Sequence, residues 1–369
     1  MKIIFAGGGT AGHINPAIAI ASYICARHKD CDILFIGTKE GMENKLVPRE
    51  GYNIRYINIK GFRRKLSFEN FIVIKELFKG IMQARSIIRQ FKPDIVVGTG
   101  GYVSGPVVWN ASLMKIPTLI HEQNVFPGVT TKILSHFADV VAISFDESRK
   151  YLKTNKKIVL TGNPIRQTII DTDRHTARMR LGLNYNPFIL VFGGSLGADK
   201  INSTLIEYIK KIRNDKSVQL MFGTGERYYK SVLDTLNRQG IDVSKLEHIR
   251  VLPYIHDMDN AMAAADLVVC RAGAITLSEI TAMGKPALLI PSPNVTNNHQ
   301  EYNARALEKQ GAAIVIREQE LNGEVLYDKI HGLLKDRRAL NNMGKNSYSM
   351  GITNATEKIY NIIAELIKK

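Results

Sequence analysis

The sequence predicts an α/β protein of two Rossmann-like, doubly wound halves, and three observations predict it. Short apolar runs alternate along the chain with stretches of helical periodicity. The runs are apolar along their whole length, which is the pattern of parallel strands covered on both faces. The pattern also restarts midway, and each half begins with a strand that runs into a glycine-rich turn.

In order, "KIIFA", "DILFIG", "DIVVG", "PTLIH" and "DVVAIS" read as the buried strands of the first half, each followed by a helix-like stretch. "FILVF" (188–192) opens the second half, followed by "VQLMFG", "HIRVL", "DLVVC", "PALLI" and "AAIVI". The joint lies in 161–187, which is polar and carries two prolines. The division is therefore expected at 1–163 and 164–369. A chain of 369 residues is long for one domain, and a hydrophobic content of 45% supports large cores.

Cys25, Cys31 and Cys270 sit in or beside apolar segments with no CxxC pair, and read as reduced, buried thiols. The first residues run straight into a strand, unlike a signal peptide. No window approaches the roughly 18 uninterrupted apolar residues of a membrane span. The net charge of +16 favours anionic partners: phosphates, nucleic acid or an acidic lipid surface. Nucleic acid is disfavoured, because the basic residues are not interleaved with aromatics on one element and no reader motif is present.

"FAGGGTAGH" follows the first strand of one half and "FGGSLGA" (192–198) that of the other. Such turns expose backbone N–H groups at the positive end of a helix, which suits a diphosphate. One glycine turn alone could be a tight turn and nothing more. Two, both at strand C-termini, point to a ligand cleft, since open sheets bind ligands there. Gly7, Gly9 and Gly12 satisfy GxGxxG, but the second strand ends "FIGTKEG", with Gly37 and Thr38 where a dinucleotide enzyme carries its ribose-binding acid. No GK[ST] follows the glycines, so a P-loop is excluded.

"CRAGAITLSEITAMGKPALLIPSP" (270–293) reads as a strand end, a small-residue turn and a helix carrying Glu279. A carboxylate so placed can accept both hydroxyls of a ribose; the plain alternative is a solvent-facing helix Glu. "NNHQEYNA" (297–304) puts polar groups at the next helix start, "HEQN" (121–124) ends a strand, and "GNPIR" (162–166) lies at the joint. With "GGTAGHINP", "GGYVSGP" and "GGSLGA", these motifs closely resemble the MurG family, the undecaprenyl-diphospho-muramoyl-pentapeptide β-N-acetylglucosaminyltransferases of peptidoglycan synthesis. The resemblance covers essentially the whole chain, with the motifs in order in both halves.

The resemblance implies a GT-B fold, two Rossmann-like domains facing a central cleft, with a final helix (about 352–369) returning to the first domain. It implies an N-terminal domain for the acceptor and the membrane, and a C-terminal domain for UDP-GlcNAc. Arg166 and Ser195 would face the diphosphate, and the Ile255 backbone the uracil. Ala274, Ile275, Thr276, Leu277, Ser278 and Glu279 would wrap the nucleotide, with Glu279 on the ribose. Gln300 would contact the sugar, which Thr10, Ala11, Gly12 and Asn124 would reach from the first domain. His299 stands where some relatives carry a second Gln. A UDP-GlcNAc epimerase shares fold and donor, and only the acceptor separates it from a transferase.

The reaction implied is an inverting displacement, in which the C4 hydroxyl of lipid-linked muramoyl-pentapeptide attacks C1 of the α-linked GlcNAc and UDP leaves. It needs one base near the acceptor and charge stabilisation at the leaving diphosphate. His13, at the rim of the first glycine turn, is the candidate base, because an imidazole titrates near neutrality. Glu122 and Tyr102 are the alternatives. No cofactor is expected and no metal. "DTD" (171–173) lies in the polar joint and "DMD" (257–259) starts a helix, where Asp is an ordinary cap. Helix N-termini and the planar donor fork of Arg166 can supply the positive field instead.

The charge collects between Lys60 and Lys92, where nine Lys or Arg stand against Glu69 and Glu76, a balance of +7. Phe71, Ile74, Phe78 and Ile81 recur there at helical spacing, after a basic loop, "GFRRKLSF". A lipid-linked acceptor obliges the enzyme to work at the membrane. The expectation is peripheral docking on the cytoplasmic face of the cell membrane, with Arg63, Arg64 and Lys65 on an anionic surface.

Overall fold

In the computed structural model of the protein, residues 1–59, 69–194 and 196–368 are described, 69–75 as backbone only. They divide into two compact units, residues 1–165 with 354–369, and residues 166–353.

The first unit holds β1 (Lys2–Gly7), β2 (Asp32–Gly37), β3 (Asn53–Tyr56), β4 (Ile95–Gly100), β5 (Thr118–Glu122), β6 (Val140–Ile143) and β7 (Lys157–Leu160). All are parallel, in the order β3-β2-β1-β4-β5-β6-β7. The helices are α1 (Ala11–Arg27), α2 (Glu43–Arg49), α3 (Glu69–Phe91), α4 (Ser104–Leu113) and α5 (Val129–Leu134). The five strands read from the sequence are all present. The two further ones, β3 and β7, are the edges of the sheet; β3 alternates, the apolar run of β7 is three residues long, and both strands are half-exposed.

One face of the sheet packs Ile14, Ile20 and Ile24 of α1 with Ile359, Ile362, Ile363 and Leu366 of the C-terminal helix Ala355–Ile367. The other packs Val103, Val107 and Val108 of the α4 segment and Ala84, Ile87 and Ile88 of α3. Phe78 corrects the expected stripe on α3: it is 65% exposed, Ile81 is half-buried, and the side chains of Phe71 and Ile74 lie outside the described residues. Lys60, Arg63, Arg64, Lys65 and the rest of "GFRRKLSF" also lie outside them.

The cysteines correct a second expectation. Cys25 and Cys31 are half-buried and their sulfurs are bonded across the turn from α1 to β2, with Cα atoms 5.8 Å apart. Cys270 is a buried free thiol, as read, and burial pushes its pKa up.

The second unit holds β8 (Phe188–Phe192), β9 (Gln219–Gly223), β10 (Ile249–Leu252), β11 (Leu267–Cys270), β12 (Ala287–Leu289) and β13 (Ala313–Val315), parallel in the order β10-β9-β8-β11-β12-β13. These are the six runs read from the sequence. Its helices are α6 (Gln167–Asp171), α7 (Arg174–Arg180), α8 (Asp199–Ile212), α9 (Glu226–Arg238), α10 (Met258–Ala264), α11 (Ala274–Ala282), α12 (His299–Lys309), α13 (Gly323–Lys335) and α14 (Arg337–Ser349). The core is apolar on both faces of β8, where Phe188, Ile189, Leu190 and Val191 are all buried. Neighbouring β1 and β4 in the first sheet, and β8 and β11 in the second, bring strand C-termini side by side, where open sheets place their ligands.

Candidate functional site

In the first unit, the glycine turn after β1 lies against the turn after β4. Gly7 pairs with Gly100 just past a register shift in the β1–β4 ladder, and a Cβ on Gly101 (φ +77°) would run into the Gly8 carbonyl. Gly9 (φ +86°) takes a backbone conformation that side chains rarely adopt. Thr10 is the extended residue before α1, and Ala11, Gly12 and His13 form the helix's first turn with the exposed or half-exposed surface expected of a ligand site.

Glu43, which the sequence reading missed, fixes this turn from below. Its carboxylate is 1% exposed, accepting from Gly9 N at 2.9 Å through Oε2 and from Thr38 N and Oγ1, both at 2.8 Å, through Oε1. The acid absent from the end of β2 stands a few residues later and binds protein N–H groups there. Only the fold brings it under the glycines.

His13 is half-buried, its ring against Gly100, where a Cβ would lie 2.5 Å from Nδ1. Nδ1 is 2.9 Å from Gln123 Oε1. Glu122, at the end of β5, is 2% exposed, and both its oxygens hold their own loop: Oε1 accepts from Asn124 N at 3.0 Å and Asn124 Nδ2 at 3.2 Å, Oε2 from Gly128 N at 3.1 Å. Tyr102 is 56% exposed, on the turn after β4. Thr10, Ala11, Gly12, His13, Tyr102 and Asn124 thus all stand at the C-terminal ends of β1, β4 and β5.

In the second unit, a pocket of about 340 Å³ lies at the C-terminal ends of β8, β11 and β12. Gly193, Gly194 (φ +91°), Gly197 (φ +74°) and Ala198 line one side, ahead of α8. Gly273 and Thr276, at the start of α11, line the other, with Ser292 and Gln300. Two helix N-termini therefore open on one pocket, a positive field suited to an anion. Ser195 lies outside the described residues. Gln300 Oε1 accepts from Ser292 N at 2.9 Å, and His299 Nδ1 lies 2.8 Å from Thr296 O.

Arg271 is a second residue that the sequence reading passed over. It lines the pocket with its side chain largely buried, donates to the carbonyls of Ile290 at 3.1 Å and Pro291 at 3.2 Å, and pairs with Glu318. Its position in "CRAGA", at the end of β11, is the signal the sequence carries.

Glu279 follows Ala274, Ile275, Thr276, Leu277 and Ser278 on α11 and is half-buried, not a solvent-facing helix residue. Burial pushes its pKa up to about 7, with the Arg166 charge opposing and Asp259 adding to the rise. Arg166 Nη2 is 3.0 Å from Asp259 Oδ1. Arg166, Asp259 and Glu279 thus form one cluster. Ile255 is buried beyond β10, its side chain 3.0 Å from where a Cβ on Gly223 would stand.

The DxD strings take protein partners. Asp173 caps α7, accepting from Thr176 N at 2.8 Å, and Asp171 accepts from Gln167 Nε2 at 2.8 Å. Asp257 corrects the expectation of a cap: it makes no such bond to α10, and both its oxygens accept instead from Asn260 Nδ2, at 2.7 and 3.0 Å.

Residues 3–143 match the glycosyltransferase family 28 N-terminal domain, and residues 188–366 the glycosyltransferase family 28 C-terminal domain. A UDP-N-acetylglucosamine–N-acetylmuramyl-(pentapeptide) pyrophosphoryl-undecaprenol N-acetylglucosamine transferase of Acetivibrio thermocellus is 57% identical over 369 residues, 100% of this chain and 99% of that one. The crystal structure of Acinetobacter baumannii MurG is similar with a TM-score of 0.79 at 31% identity, over 99% of each chain. A UDP-GlcNAc 2-epimerase from Neisseria meningitidis shares the fold, with a TM-score of 0.67 at 16% identity over 99% of this chain and 100% of that one. The chain belongs to glycosyltransferase family 28 and, within it, to the MurG family.

Proposed function

We propose that the protein transfers N-acetylglucosamine from UDP-GlcNAc to the C4 hydroxyl of undecaprenyl-diphospho-muramoyl-pentapeptide, converting lipid I to lipid II, by an inverting and metal-independent displacement. The observation that carries this is the full-length likeness to a transferase so named, 57% identical over 369 residues that span both units. The epimerase alternative rests on the fold alone.

The second unit is assigned the donor. The N-termini of α8 and α11, the Arg166 guanidinium and Ser195 are assigned to the leaving diphosphate. Glu279 is assigned the ribose, the Ile255 backbone the uracil and Gln300 the sugar; Thr10, Ala11, Gly12 and Asn124 of the first unit are assigned to UDP-GlcNAc as well. The first unit is assigned the acceptor, with His13 as base. Glu122 is the weaker candidate, because its two oxygens are already bonded to the loop it closes. Tyr102 stays open as the alternative. Asp171, Asp173 and Asp257 accept from protein donors and Asp259 pairs with Arg166, which supports leaving-group stabilisation by the helix termini, joined by Arg166 once it exchanges Asp259 for the diphosphate.

The direct test is incubation with UDP-GlcNAc and lipid-linked muramoyl-pentapeptide, with mass detection of one added N-acetylhexosamine. Consumption of UDP-GlcNAc without acceptor would favour the epimerase. Turnover is expected to survive EDTA; loss of activity that magnesium restores would overturn the metal-free mechanism.

Docking on the cytoplasmic face of the membrane follows from the acceptor. Among the described residues no helix is long and apolar enough to cross a membrane. Phe78 and Met82 on α3, Leu113 on α4, and Val129 and Ile133 on α5 are exposed, and so are Lys79 and Arg85 on α3. Exposed apolar side chains with cations on the same helix suit shallow insertion into an anionic surface, with each basic residue adding about 1 kcal/mol. Vesicle co-sedimentation is expected to require anionic lipid, to weaken with salt, and to drop when Arg63, Arg64 and Lys65 become Glu. Equal binding to neutral vesicles, or no effect of the triple change, would refute the electrostatic part.

A further inference from the structure

Behind His13 lies a chain of hydrogen bonds that the reaction scheme does not use. His121 Nε2 is 3.0 Å from the Gly162 carbonyl, and its Nδ1 is 2.9 Å from Gln123 Nε2. Gln123 Nε2 is also 2.9 Å from Thr99 O and 3.2 Å from His121 O. Gln123 Oε1 is 2.9 Å from His13 Nδ1. Both His121 and Gln123 are almost fully buried, at 1% and 2% exposed.

The direction of this chain is fixed by which atoms can only accept. A carbonyl cannot donate, so the proton on His121 sits on Nε2. Gln123 has two carbonyls beside one end of its amide, so that end is the NH₂ group, and its oxygen faces His13. His13 Nδ1 must then donate, which leaves Nε2 bare in the neutral imidazole. Burial pushes the His121 pKa down to about 4, against the Gly162 carbonyl and the Glu122 charge, which act to raise it. His121 is therefore neutral near pH 7, and its Nδ1 is free to accept from Gln123. The backbone is pinned too: Asn163 Nδ2 donates to Gln123 O at 3.1 Å, and Ser144 Oγ lies 2.7 Å from Glu122 O, 2.8 Å from Asn163 Oδ1 and 3.3 Å from His121 Nε2, so its one proton goes to an oxygen and its own oxygen can accept from Nε2.

We propose that Gln123 is a positioning residue, held by His121, that locks His13 in the Nδ1–H tautomer and so presents a bare Nε2 as the proton acceptor for the sugar hydroxyl. This rests on the reading of His13 as base. The proton of the attacking hydroxyl passes to Nε2, and the resulting imidazolium keeps its Nδ1–H bond to the amide oxygen. An amide fixes the ring without a carboxylate's charge, so nothing in the pair holds the proton against its release. The sequence showed "HEQN" only as a strand end; the tautomer needs the distances.

The test uses the full chain with ¹⁵N-labelled histidine. The His13 signals are assigned by their loss in His13→Ala and read above the imidazole titration. Nδ1 is expected to be protonated and Nε2 bare. In Gln123→Leu the single tautomer is expected to be lost, with kcat down about 10-fold or more, inside the 10²–10⁴-fold that a general base supplies, and KM for UDP-GlcNAc within about twofold. Gln123→Glu keeps an acceptor oxygen toward Nδ1 and is expected to keep the tautomer and recover part of kcat. A wild-type His13 protonated on Nε2 would overturn the proposal, and needs no variant to fold. So would a folded Gln123→Leu with unchanged tautomer and turnover. Full turnover in His13→Ala beside the expected wild-type spectrum would sink the base and leave the tautomer lock standing.

Discussion

Replacing His13 with Ala is expected to lower turnover about 10²–10⁴-fold, the share a positioned general base contributes, while UDP affinity stays within about twofold. The split follows from where the groups stand. His13 sits on the first turn of α1 in the first unit, while Arg166, Glu279 and the pocket at α8 and α11 belong to the second. The residue is also held for the task. Its ring occupies the space that a side chain on Gly100 would fill, and its Nδ1 is engaged with Gln123. Single-turnover kinetics with saturating UDP-GlcNAc, beside calorimetry with UDP, would separate the two effects. Near-normal turnover would move the assignment to Tyr102, since Glu122 has both oxygens engaged in its own loop.

What could be read from the sequence was what depends on local pattern. All eleven strands with a continuous apolar run are present, because burial on both faces leaves that mark. β3, NIRY, alternates with half its residues exposed, and β7 offers only the three apolar residues Ile158–Leu160, so neither carries that mark. The glycine turns were equally legible, because a positive φ as at Gly9 or Gly194 demands the residue type.

Pairings across the chain were not legible. Glu43 belongs to no motif, and its contact with Gly9 depends on how α2 packs back against α1, β2 and β3. Asp259 sat in a string read as a helix cap, yet it faces Arg166. Arg271 lies within "CRAGA" with no role legible from the sequence, because its partners Ile290 and Glu318 come from later strands and loops. Cys25 and Cys31 show the same limit. A spacing of six residues excluded a CxxC site correctly, but not a pair closed by the turn between α1 and β2.

Replacing Glu279 with Ala is expected to weaken UDP binding by roughly 1.5–3 kcal/mol, or about 10- to 150-fold, the cost of losing charge-assisted hydrogen bonds to a ligand. The loss should be as large for UDP as for UDP-GlcNAc, because the assigned contact is to the ribose they share. Unchanged UDP affinity in a folded variant would remove the assignment. The pKa adds a signature that an ordinary surface Glu would not give. Burial holds the free enzyme's Glu279 at about 7, partly offset by Arg166. Ribose hydroxyls donate to the carboxylate, so binding favours the ionised form. UDP-GlcNAc, whose diphosphate ester does not titrate near neutrality, should therefore bind with loss of a proton and weaken as pH falls through about 7, approaching tenfold per unit below it. For folding the sign is opposite. A carboxyl raised from 4.5 favours the folded state at low pH, and that contribution fades as pH rises toward 7. Glu279→Gln, neutral throughout, should flatten both dependences. Calorimetry in two buffers of different ionisation heat measures the proton directly, and no proton release near pH 7 would sink the linkage between this carboxyl and the nucleotide.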